Sequence, residues 1–411
     1  MRDTQFNQLK HLLERISVNS PFYKQKFSSC GISIEDIKTS EDIQKLPFTT
    51  KDELRDAYPL GLQAVHDEEI VRIHSSSGTT GRPVIIPYTA NDVSDWAEMM
   101  ARCFKTAGVT SVDRVQITPG YGLWTAGIGF QAGVEKLGAM AIPMGPGNTD
   151  KQLQMMIDLK STAFVATSSY ALVLAEEVEK RKIRESIQLK KGIIGSERWG
   201  EKMRSRIKNE LGIEIYDIYG LTEIYGPGIS IDCDYHTGMH YWNDYLYFEI
   251  IDPVTGNPLN DGEYGELVIT TLKKEGAPLL RYRTRDLTRI IPGTCPCGLP
   301  YPRHDRIIGR TDDMVKVKGV NIYPGQIDEL LKEAAGASSE YQVVISHLDG
   351  KDMMTLKVEK EYAADKEAVE KNVTDLFKKR IGILISAEAY NIGELPRSEK
   401  KSKRILDYRE S

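Results

Sequence analysis

The chain has 411 residues, of which 40% are hydrophobic and 27% charged, and its formal net charge is -5. At roughly 100–200 residues per domain, this length predicts two to four domains with cores that need no disulfides. The acidic balance argues against a dedicated nucleic-acid binder. Because the sequence contains neither an apolar run of about 18 residues nor a secretory signal, we expect a cytoplasmic protein that does not bind a membrane.

Residues 1 to about 60 are predicted to be helical, and strand-like and helical segments alternate from there to about residue 200. The first helix has one apolar face, formed by Phe6, Leu9, Leu12, Leu13 and Ile16. Apolar runs at 163–166 and 192–195 predict buried strands on either side of a helix from Tyr170 to Lys182. This alternation predicts an α/β fold with layered sheets.

From about residue 214 the sequence becomes richer in strands. Runs at 214–219, 245–251 and 266–271 predict a β-rich subdomain that closes the large domain. The remainder predicts a small α+β domain, with strands at 314–320, 341–347, 353–358 and 385–392, a helix ending at Leu331, and a helix over 365–379. We therefore predict an N-terminal domain over 1–309 and a C-terminal domain over 310–411.

A loop rich in hydroxyls and glycine follows the strand-like run 70–73. It contains Ser75, Ser76, Ser77, Gly78, Thr79, Thr80, Gly81 and Arg82. Glycines allow the backbone to approach a ligand, while hydroxyls and an arginine donate hydrogen bonds to phosphate oxygens. The loop therefore predicts a phosphate-binding segment, although it lacks the spacing of a Walker P-loop. A solvated Ser/Thr linker is the alternative.

Four further segments carry residues suited to chemistry. They lie at 217–223, 281–286, 309–324 and 396–404. A carboxylate such as Glu223 can hold a hard cation among phosphate oxygens. Taken alone, Asp286 at an arginine-rich strand end is typical of an ion-pair partner, and the last segment is typical of a solvated basic tail.

Taken in order, the five segments resemble the signatures of the adenylate-forming enzymes, which include acyl- and aryl-CoA synthetases, nonribosomal adenylation domains and luciferases. Segment 217–223 matches the family's YGxTE element, and 281–286 resembles its YRTGD element with Arg285 in place of glycine. Arg82 replaces the usual lysine. The short chain and the segments 21–24, 121–125 and 319–324 look like the phenylacetate–CoA ligases.

The resemblance implies a role for each matching residue. Lys401 is the lysine required for adenylation, with Lys400 as the fallback, Thr222 contacts the α-phosphate, and Glu223 helps to hold Mg²⁺. Asp312 is the hinge of a mobile C-terminal domain, and Gly319 and Val320 line the tunnel for coenzyme A. Besides the loop 75–82, the nucleotide-binding residues are Ser196, Glu197, Arg198, Asp217, Tyr219, Gly220, Asp286 and Arg310.

Three cysteines and two histidines suggest a metal site. Cys295 and Cys297 form a C-x-C turn, and Cys233 lies about sixty residues earlier. Three thiolates and one imidazole make the closed tetrahedral set of structural zinc. The resemblance to a subset of phenylacetate–CoA ligases selects His240 as the fourth ligand, with His236 as its rival. Four unrelated residues are the alternative.

The resemblance implies a two-step ATP-dependent ligation of an aryl acetic acid to coenzyme A. The acid forms an acyl-adenylate and pyrophosphate, and the thiol then displaces AMP. Phenylacetate is the favoured acid, with hydroxyphenylacetate, indoleacetate and benzoate-type acids as rivals. The residues predicted to line the acid pocket are Tyr121, Trp124, Gly127 and Phe130.

Three other functions remain open from the sequence. A free-standing enzyme could load the acid onto a carrier-protein thiol instead of coenzyme A. A non-catalytic nucleotide-binding or zinc-stabilised protein would need neither Lys401 nor an aromatic pocket. A kinase-like ATPase would release ADP. The resemblance also implies a homodimer.

Overall fold

The computed structural model describes residues 1–76, 82–348, 351–397 and 404–409. Contacts divide the chain into two compact units. Unit 1 contains 1–145, 163–165 and 216–307, and unit 2 contains 146–162, 166–215 and 308–411. Within the described ranges, no helix is long and apolar enough to cross a bilayer. The predicted boundary at 309/310 stays a prediction.

The secondary structure is mixed, as the sequence predicts. The α-helices are α1 Asp3–Asn19, α2 Pro21–Cys30, α3 Lys51–Asp56, α4 Ala90–Thr106, α5 Ala126–Leu137, α6 Thr149–Asp158, α7 Ser168–Arg181, α8 Glu201–Leu211, α9 Pro324–Glu333 and α10 Lys366–Ile381. Short 3₁₀ helices cover Ile34–Asp36, Ser40–Lys45, Asp67–Glu69 and Arg184–Ser186.

The strands are numbered in chain order. They are β1 Ile70–Ser75, β2 Ile85–Thr89, β3 Arg114–Ile117, β4 Met140–Pro143, β5 Ala163–Thr167, β6 Lys191–Gly195, β7 Glu214–Leu221, β8 Gly226–Asp232, β9 Met239–Tyr241, β10 Leu246–Ile251, β11 Gly265–Thr271, β12 Tyr282–Thr288, β13 Ile290–Ile291, β14 Arg303–His304, β15 Gly309–Arg310, β16 Val315–Val317, β17 Val320–Ile322, β18 Ala337–Leu348, β19 Lys351–Lys360, β20 Ser386–Asn391 and β21 Ile405–Asp407.

Unit 1 begins with the helices that the apolar pattern predicts. The residues Leu9, Leu12, Leu13 and Ile16 of α1 are buried, which confirms the predicted face. They pack in one cluster with Tyr23 of α2 and with Leu272 and Leu280 from much later in the chain. The N-terminal helices thereby fix the strands that carry 281–286.

Parallel and antiparallel strands both occur in unit 1. Strands β4 and β5 flank β3 and run parallel to it. Antiparallel pairs follow the order β13-β14-β9-β8-β7, and β10-β11-β12 form a separate antiparallel set. The antiparallel strands confirm the predicted β-rich section and carry the candidate site residues at 217–223 and 281–286.

Unit 2 ends in the predicted small α+β arrangement. Its strands lie in the order β20-β19-β18-β21, and α9 and α10 share an apolar core with this sheet. The prediction of one strand over 314–320 is wrong. The segment forms the hairpin β16–β17, in which Lys318 and Gly319 both have positive φ, 50° and 81°. Two successive positive φ angles are typical of a tight hairpin turn.

Candidate functional site

Tyr219 and Asp286 meet although 67 positions separate them. The Tyr219 hydroxyl donates to Asp286 Oδ2 at 2.5 Å, and the Asp286 side chain is only 4% exposed. Behind Tyr219, the His304 ring packs edge-on at 5.6 Å between centroids. Burial lowers the pKa of His304 to about 4, so this ring stays neutral near pH 7. Tyr219 therefore lies between the Asp286 carboxylate and the neutral His304 ring.

Thr222 and Glu223 follow β7 in a short turn. The Thr222 hydroxyl lies 3.3 Å from that of Thr125. Glu223 is 4% exposed, and its Oε1 lies 3.2 Å from the Lys51 ammonium nitrogen. That approach lacks hydrogen-bond geometry, so Oε1 is buried without a hydrogen bond from any described residue. A buried carboxylate oxygen in this condition is suited to a cation.

Lys51 is a site residue that sequence reasoning missed. It lies at the start of α3, where the Thr50 hydroxyl caps the helix. Backbone hydrogen bonds tie Thr49 to β12, from Thr49 N to Arg281 O and from Arg283 N to Thr49 O, at 3.0 and 2.9 Å. No sequence motif surrounds Lys51. Its position depends on the parallel pairing of Thr49 with the 281–286 segment, which is a tertiary contact that the sequence does not reveal.

Lys274 is a second lysine near Glu223 that was also missed, and its side chain is buried. Its ammonium donates to the carbonyl of Ile224 and lies over the rings of Tyr88 and Tyr225, 4.6 and 4.8 Å from their centroids. Burial lowers the pKa of Lys274 to about 7, against the opposing effect of Asp92 and Glu223. The turn after β7 is therefore held by a buried amine that donates to the Ile224 carbonyl whether or not it carries a charge.

The hydroxyl-rich loop connects β1 and β2. Antiparallel pairing aligns Ser75 with Ile85. The Ser76 hydroxyl accepts a hydrogen bond of 2.9 Å from the Val84 N–H, which closes the base of the loop. Arg82 is exposed, and Ser77, Gly78, Thr79, Thr80 and Gly81 lie outside the described residues.

The remaining predicted nucleotide-binding residues lie on β7 and after β6. The Asp217 N–H donates to Asp232 at 2.9 Å, and a Cβ at Gly220 would meet the Gly226 carbonyl at 2.1 Å, so only glycine fits there.

In unit 2, Ser196 has a φ of 71°. Glu197 accepts from the Ser168 hydroxyl and the Ser169 N–H at 3.1 and 2.9 Å.

Arg198 is engaged with protein groups. Its guanidinium pairs with Asp328 and donates to the carbonyls of Ile308 and Pro324 at 3.3 and 3.1 Å. A nucleotide-binding role for Arg198 therefore stays a prediction, and the structure shows a contact with the chain beyond residue 308 instead.

The predicted acid-pocket residues differ in their surroundings. A Cβ at Gly127 would meet the Tyr121 ring at 2.7 Å, so glycine allows this close approach. Burial raises the pKa of Tyr121 to about 12, and its buried hydroxyl has no hydrogen bond among the described residues. Trp124 is exposed, whereas Phe130 is buried against Phe104, 6.3 Å away between ring centroids. Phe130 thus lies in a packed core.

The predicted hinge and tunnel residues lie in unit 2. The Arg310 guanidinium pairs with both oxygens of Asp312, at 2.8 and 3.1 Å. Gly319 occupies the hairpin turn, where an added Cβ would meet no atom within 4 Å, and Val320 begins β17. Lys400 and Lys401 lie outside the described residues.

The four predicted metal ligands converge in unit 1. The ligand atoms of Cys233, His240, Cys295 and Cys297 all lie within 4.8 Å of one another. Cys233 and Cys295 approach to 3.7 Å between sulfurs, and Cys297 Sγ lies 3.2 Å from His240 Nε2. His236 instead faces Asp232, with Nδ1 2.9 Å from the carboxylate.

The donor set fits zinc. Zinc–sulfur bonds of about 2.3 Å place tetrahedral thiolates about 3.8 Å apart, close to the separation of Cys233 and Cys295. His240 Nδ1 lies 2.9 Å from the Tyr301 carbonyl. A carbonyl only accepts, so Nδ1 carries the proton and Nε2 remains available as a ligand.

Comparisons with known proteins match nearly the whole chain. A family model described as "AMP-binding enzyme" matches residues 15–272, and "AMP-binding enzyme C-terminal domain" matches 319–409. The phenylacetate-coenzyme A ligases of Pseudomonas putida and Escherichia coli K12 are each 41% identical to this chain, covering 100% and 98% of it and 94% of each relative. A solved 2-hydroxyisobutyryl-CoA ligase in its postadenylation state, with an acyl-AMP, has a TM-score of 0.89 at 28% identity, covering 99% of this chain and 89% of that one.

These matches define the class as the AMP-binding, adenylate-forming enzymes. The chain belongs to the phenylacetate–coenzyme A ligase family within that class. It is an AMP-forming acid–thiol ligase that uses ATP to join a carboxylic acid to coenzyme A through an acyl-adenylate.

Proposed function

We propose that the acid is an aryl acetic acid, with phenylacetate as the first choice. Relatives named phenylacetate-coenzyme A ligase are 41% identical to this chain over almost its whole length. This identity is the observation that carries the choice of acid. For the nucleotide, the Tyr219–Asp286 pair suits a nucleoside and the buried Glu223 oxygen suits a metal-bound polyphosphate.

In the first half-reaction, a carboxylate oxygen of the acid attacks the α-phosphorus of ATP. The new O–P bond forms as the bond to pyrophosphate breaks, so the acid gains AMP as a good leaving group. Lys401 stabilises the negative charge that builds between acid and α-phosphate, and Thr222 contacts the same phosphate. Glu223 would hold Mg²⁺, which when bound neutralises charge on the departing pyrophosphate.

The nucleoside and the polyphosphate are bound by different groups. Asp286 accepts hydrogen bonds from the ribose hydroxyls, and Tyr219, anchored through its own hydroxyl, packs against adenine. The donors of the loop 75–82 bind the terminal phosphates. The Glu223 carboxylate and the Lys51 ammonium form an ion pair, with 3.2 Å between Oε1 and Nζ.

In the second half-reaction, the sulfur of coenzyme A attacks the acyl carbonyl. The C–S bond forms, the bond to AMP breaks, and the thiol proton leaves to solvent. We propose that the residues from 310 onward rotate about Asp312 between the two steps. Lys401 then leaves the reacting atoms, and Gly319 and Val320 line the approach of the thiol.

The acid pocket is assigned to Tyr121, Trp124 and Gly127. Gly127 allows the Tyr121 ring to pack directly against the α5 backbone, so the ring can form one flat wall of a pocket for an aromatic acid. The Tyr121 hydroxyl is available to a polar substituent. Phe130, predicted as a fourth member, supports the pocket from the core.

We assign Zn²⁺ to Cys233, His240, Cys295 and Cys297. Four protein ligands close the coordination shell, so the ion would tie the segment after β8 to the loop before β14 and would not contact substrate. The enzyme is proposed to act in the cytoplasm as a homodimer. The carrier-protein loader is the less favoured alternative, because the matching relatives are coenzyme A ligases.

Release of pyrophosphate and AMP from Mg·ATP, measured across carboxylic acids with and without coenzyme A, tests the proposal. We expect both products to depend on an aryl acetate and to form faster with coenzyme A. Acid-dependent release that ignores coenzyme A would indicate a carrier-protein loader. Release of ADP would contradict the adenylate mechanism.

A further inference from the structure

Three basic residues of unit 2 are spaced four apart on and just before α8. They are Arg198, which precedes the helix, and Lys202 and Arg206, which share one face of it. Lys202 donates to the carbonyls of Ala334 and Ala337, the first at 2.8 Å. Arg206 donates to the Ser339 hydroxyl at 3.3 Å. Arg198 reaches Asp328, so this face binds the chain after residue 308 in three places.

Arg206 also belongs to a network of four charged side chains around Glu176 of α7. Arg397 donates to both Glu176 oxygens, at 3.0 and 2.6 Å, and to both Glu359 oxygens, each at 2.8 Å. Arg206 donates to Glu176 at 3.0 Å. Glu359 is fully buried and Arg397 is 17% exposed, so water screens these charges little.

Arg397 and Arg404 are the described residues on either side of the segment that contains Lys401. Arg397 donates to both oxygens of Glu176. Arg404 pairs with Glu340 at 3.0 Å, and its guanidinium lies 4.6 Å from the Tyr341 ring centroid. Although burial opposes its charge, Glu340 and then the more distant Tyr341 and Glu197 keep the pKa of Arg404 raised. Both flanks are therefore held by carboxylates of unit 2, Arg397 by Glu176 and Glu359 and Arg404 by Glu340.

We propose that Glu176 is a positioning residue for adenylation: it binds Arg397 and so holds the chain leading to Lys401 in the place required for the first half-reaction. This inference rests on the proposed role of Lys401. The contact must open before the residues after 310 rotate, so Glu176 favours the first step and not the second.

Loss of the Glu176 charge should leave the fold intact. Without it, Arg397 keeps Glu359, and Arg206 keeps Glu210, whose carboxylate lies 2.9 Å away. No buried arginine loses its last carboxylate, which is the condition that makes removal of one partner costly. The neighbouring Glu177 provides a matched control, since it pairs with Arg181 on the same helix and does not contact Arg397.

The test measures each half-reaction separately in Glu176→Gln, Glu176→Asp and Glu177→Gln. Acid-dependent exchange of pyrophosphate into ATP reports adenylation, and single-turnover thioester formation from pre-made phenylacetyl-adenylate reports the second step. Charge-assisted bidentate contacts justify a loss of about ten- to a hundredfold in exchange for Glu176→Gln. We expect thioester formation within twofold of the parent or faster, partial recovery with Glu176→Asp, and no change with Glu177→Gln.

Several results would overturn the inference. One is unchanged pyrophosphate exchange in a folded Glu176→Gln enzyme, and another is an equal loss of rate in both half-reactions. A third is slower thioester formation alone, which would assign the Glu176–Arg397 contact to the second half-reaction. Thermal melting of each variant identifies misfolding, and Glu176→Asp keeps the test valid if Glu176→Gln melts early. Failure of the proposed function is distinguishable, because the parent enzyme would then show no acid-dependent exchange.

Discussion

Two clusters in unit 1 unite residues from distant parts of the chain, and they differ in how completely their polar atoms are paired. In the Cys/His cluster, four ligand atoms face one another within 4.8 Å, and the second nitrogen of His240 is bound to a carbonyl. In the nucleotide-side cluster, Glu223 Oε1 is buried without a hydrogen bond from the described residues.

We propose that this difference separates a site that supports the fold from a site that performs chemistry. A closed set of four ligands leaves no position for substrate, so it can only stabilise. Among the described residues, Glu223 Oε1 is approached by the Lys51 ammonium at 3.2 Å but accepts no hydrogen bond, so it keeps the capacity to bind a metal cation. Substitutions in the nucleotide-side cluster should therefore reduce turnover more than stability. Substitutions in the Cys/His cluster should reduce stability more than turnover.

The largest effect is expected at Lys401. Lys401→Ala removes the cation assigned to the charge that builds at the α-phosphate, so acid-dependent pyrophosphate exchange should fall by at least about a thousandfold. Thioester formation from pre-made adenylate should stay within a few-fold of the parent. Lys400→Ala is the matched control, and a greater loss there would move the role to Lys400.

Glu223→Gln should be the next most damaging change. The amide keeps the shape but loses the charge that attracts Mg²⁺, so we expect about a hundredfold slower adenylation and a higher Mg²⁺ requirement. Titration of Mg²⁺ into the exchange assay, together with calorimetric binding of Mg·pyrophosphate, measures both. An unchanged Mg²⁺ requirement would remove Glu223 from the metal site.

A smaller effect is expected for the nucleoside-binding pair. Asp286→Ala should weaken ATP and AMP binding equally, by about ten- to fiftyfold, because the ribose is common to both. Tyr219→Phe keeps the ring and loses the 2.5 Å hydrogen bond to Asp286, so we expect a change of a few-fold. Equilibrium binding of both nucleotides checks this, and selective loss of ATP would place Asp286 near the polyphosphate instead.

The smallest effect on turnover is expected in the Cys/His cluster. Cys295→Ser should release zinc and lower the melting temperature by several degrees, while kcat of the folded fraction stays within about twofold. Metal content and thermal melting are the measurements. Cys30→Ser, at an exposed free thiol, is the control. A variant that keeps its metal would exclude the zinc assignment.

The sequence predicted the site best where its residues are contiguous. The 217–223 and 281–286 segments could be identified from short signatures, and the α/β layers from apolar periodicity. Lys51 could not, since its contact with Glu223 depends on the pairing of Thr49 with Tyr282 across the fold. The hairpin at Lys318 and Gly319 was missed because a lysine rarely adopts the positive φ that it has there.

Arg198 shows what the sequence could not reveal. The resemblance places it among the nucleotide-binding residues, which stays a prediction, and the structure adds that its guanidinium pairs with Asp328 and two carbonyls. These contacts join residues more than 100 positions apart, so a short motif carries no signal for them.

Exchange of labelled pyrophosphate into ATP, with phenylacetate and Mg²⁺ but without coenzyme A, tests the central claim most directly. The two-step mechanism predicts exchange that requires the acid and disappears in Lys401→Ala. Exchange that occurs only after coenzyme A is added, or no exchange with any aryl acid while ATP is cleaved to ADP, would contradict the acyl-adenylate intermediate.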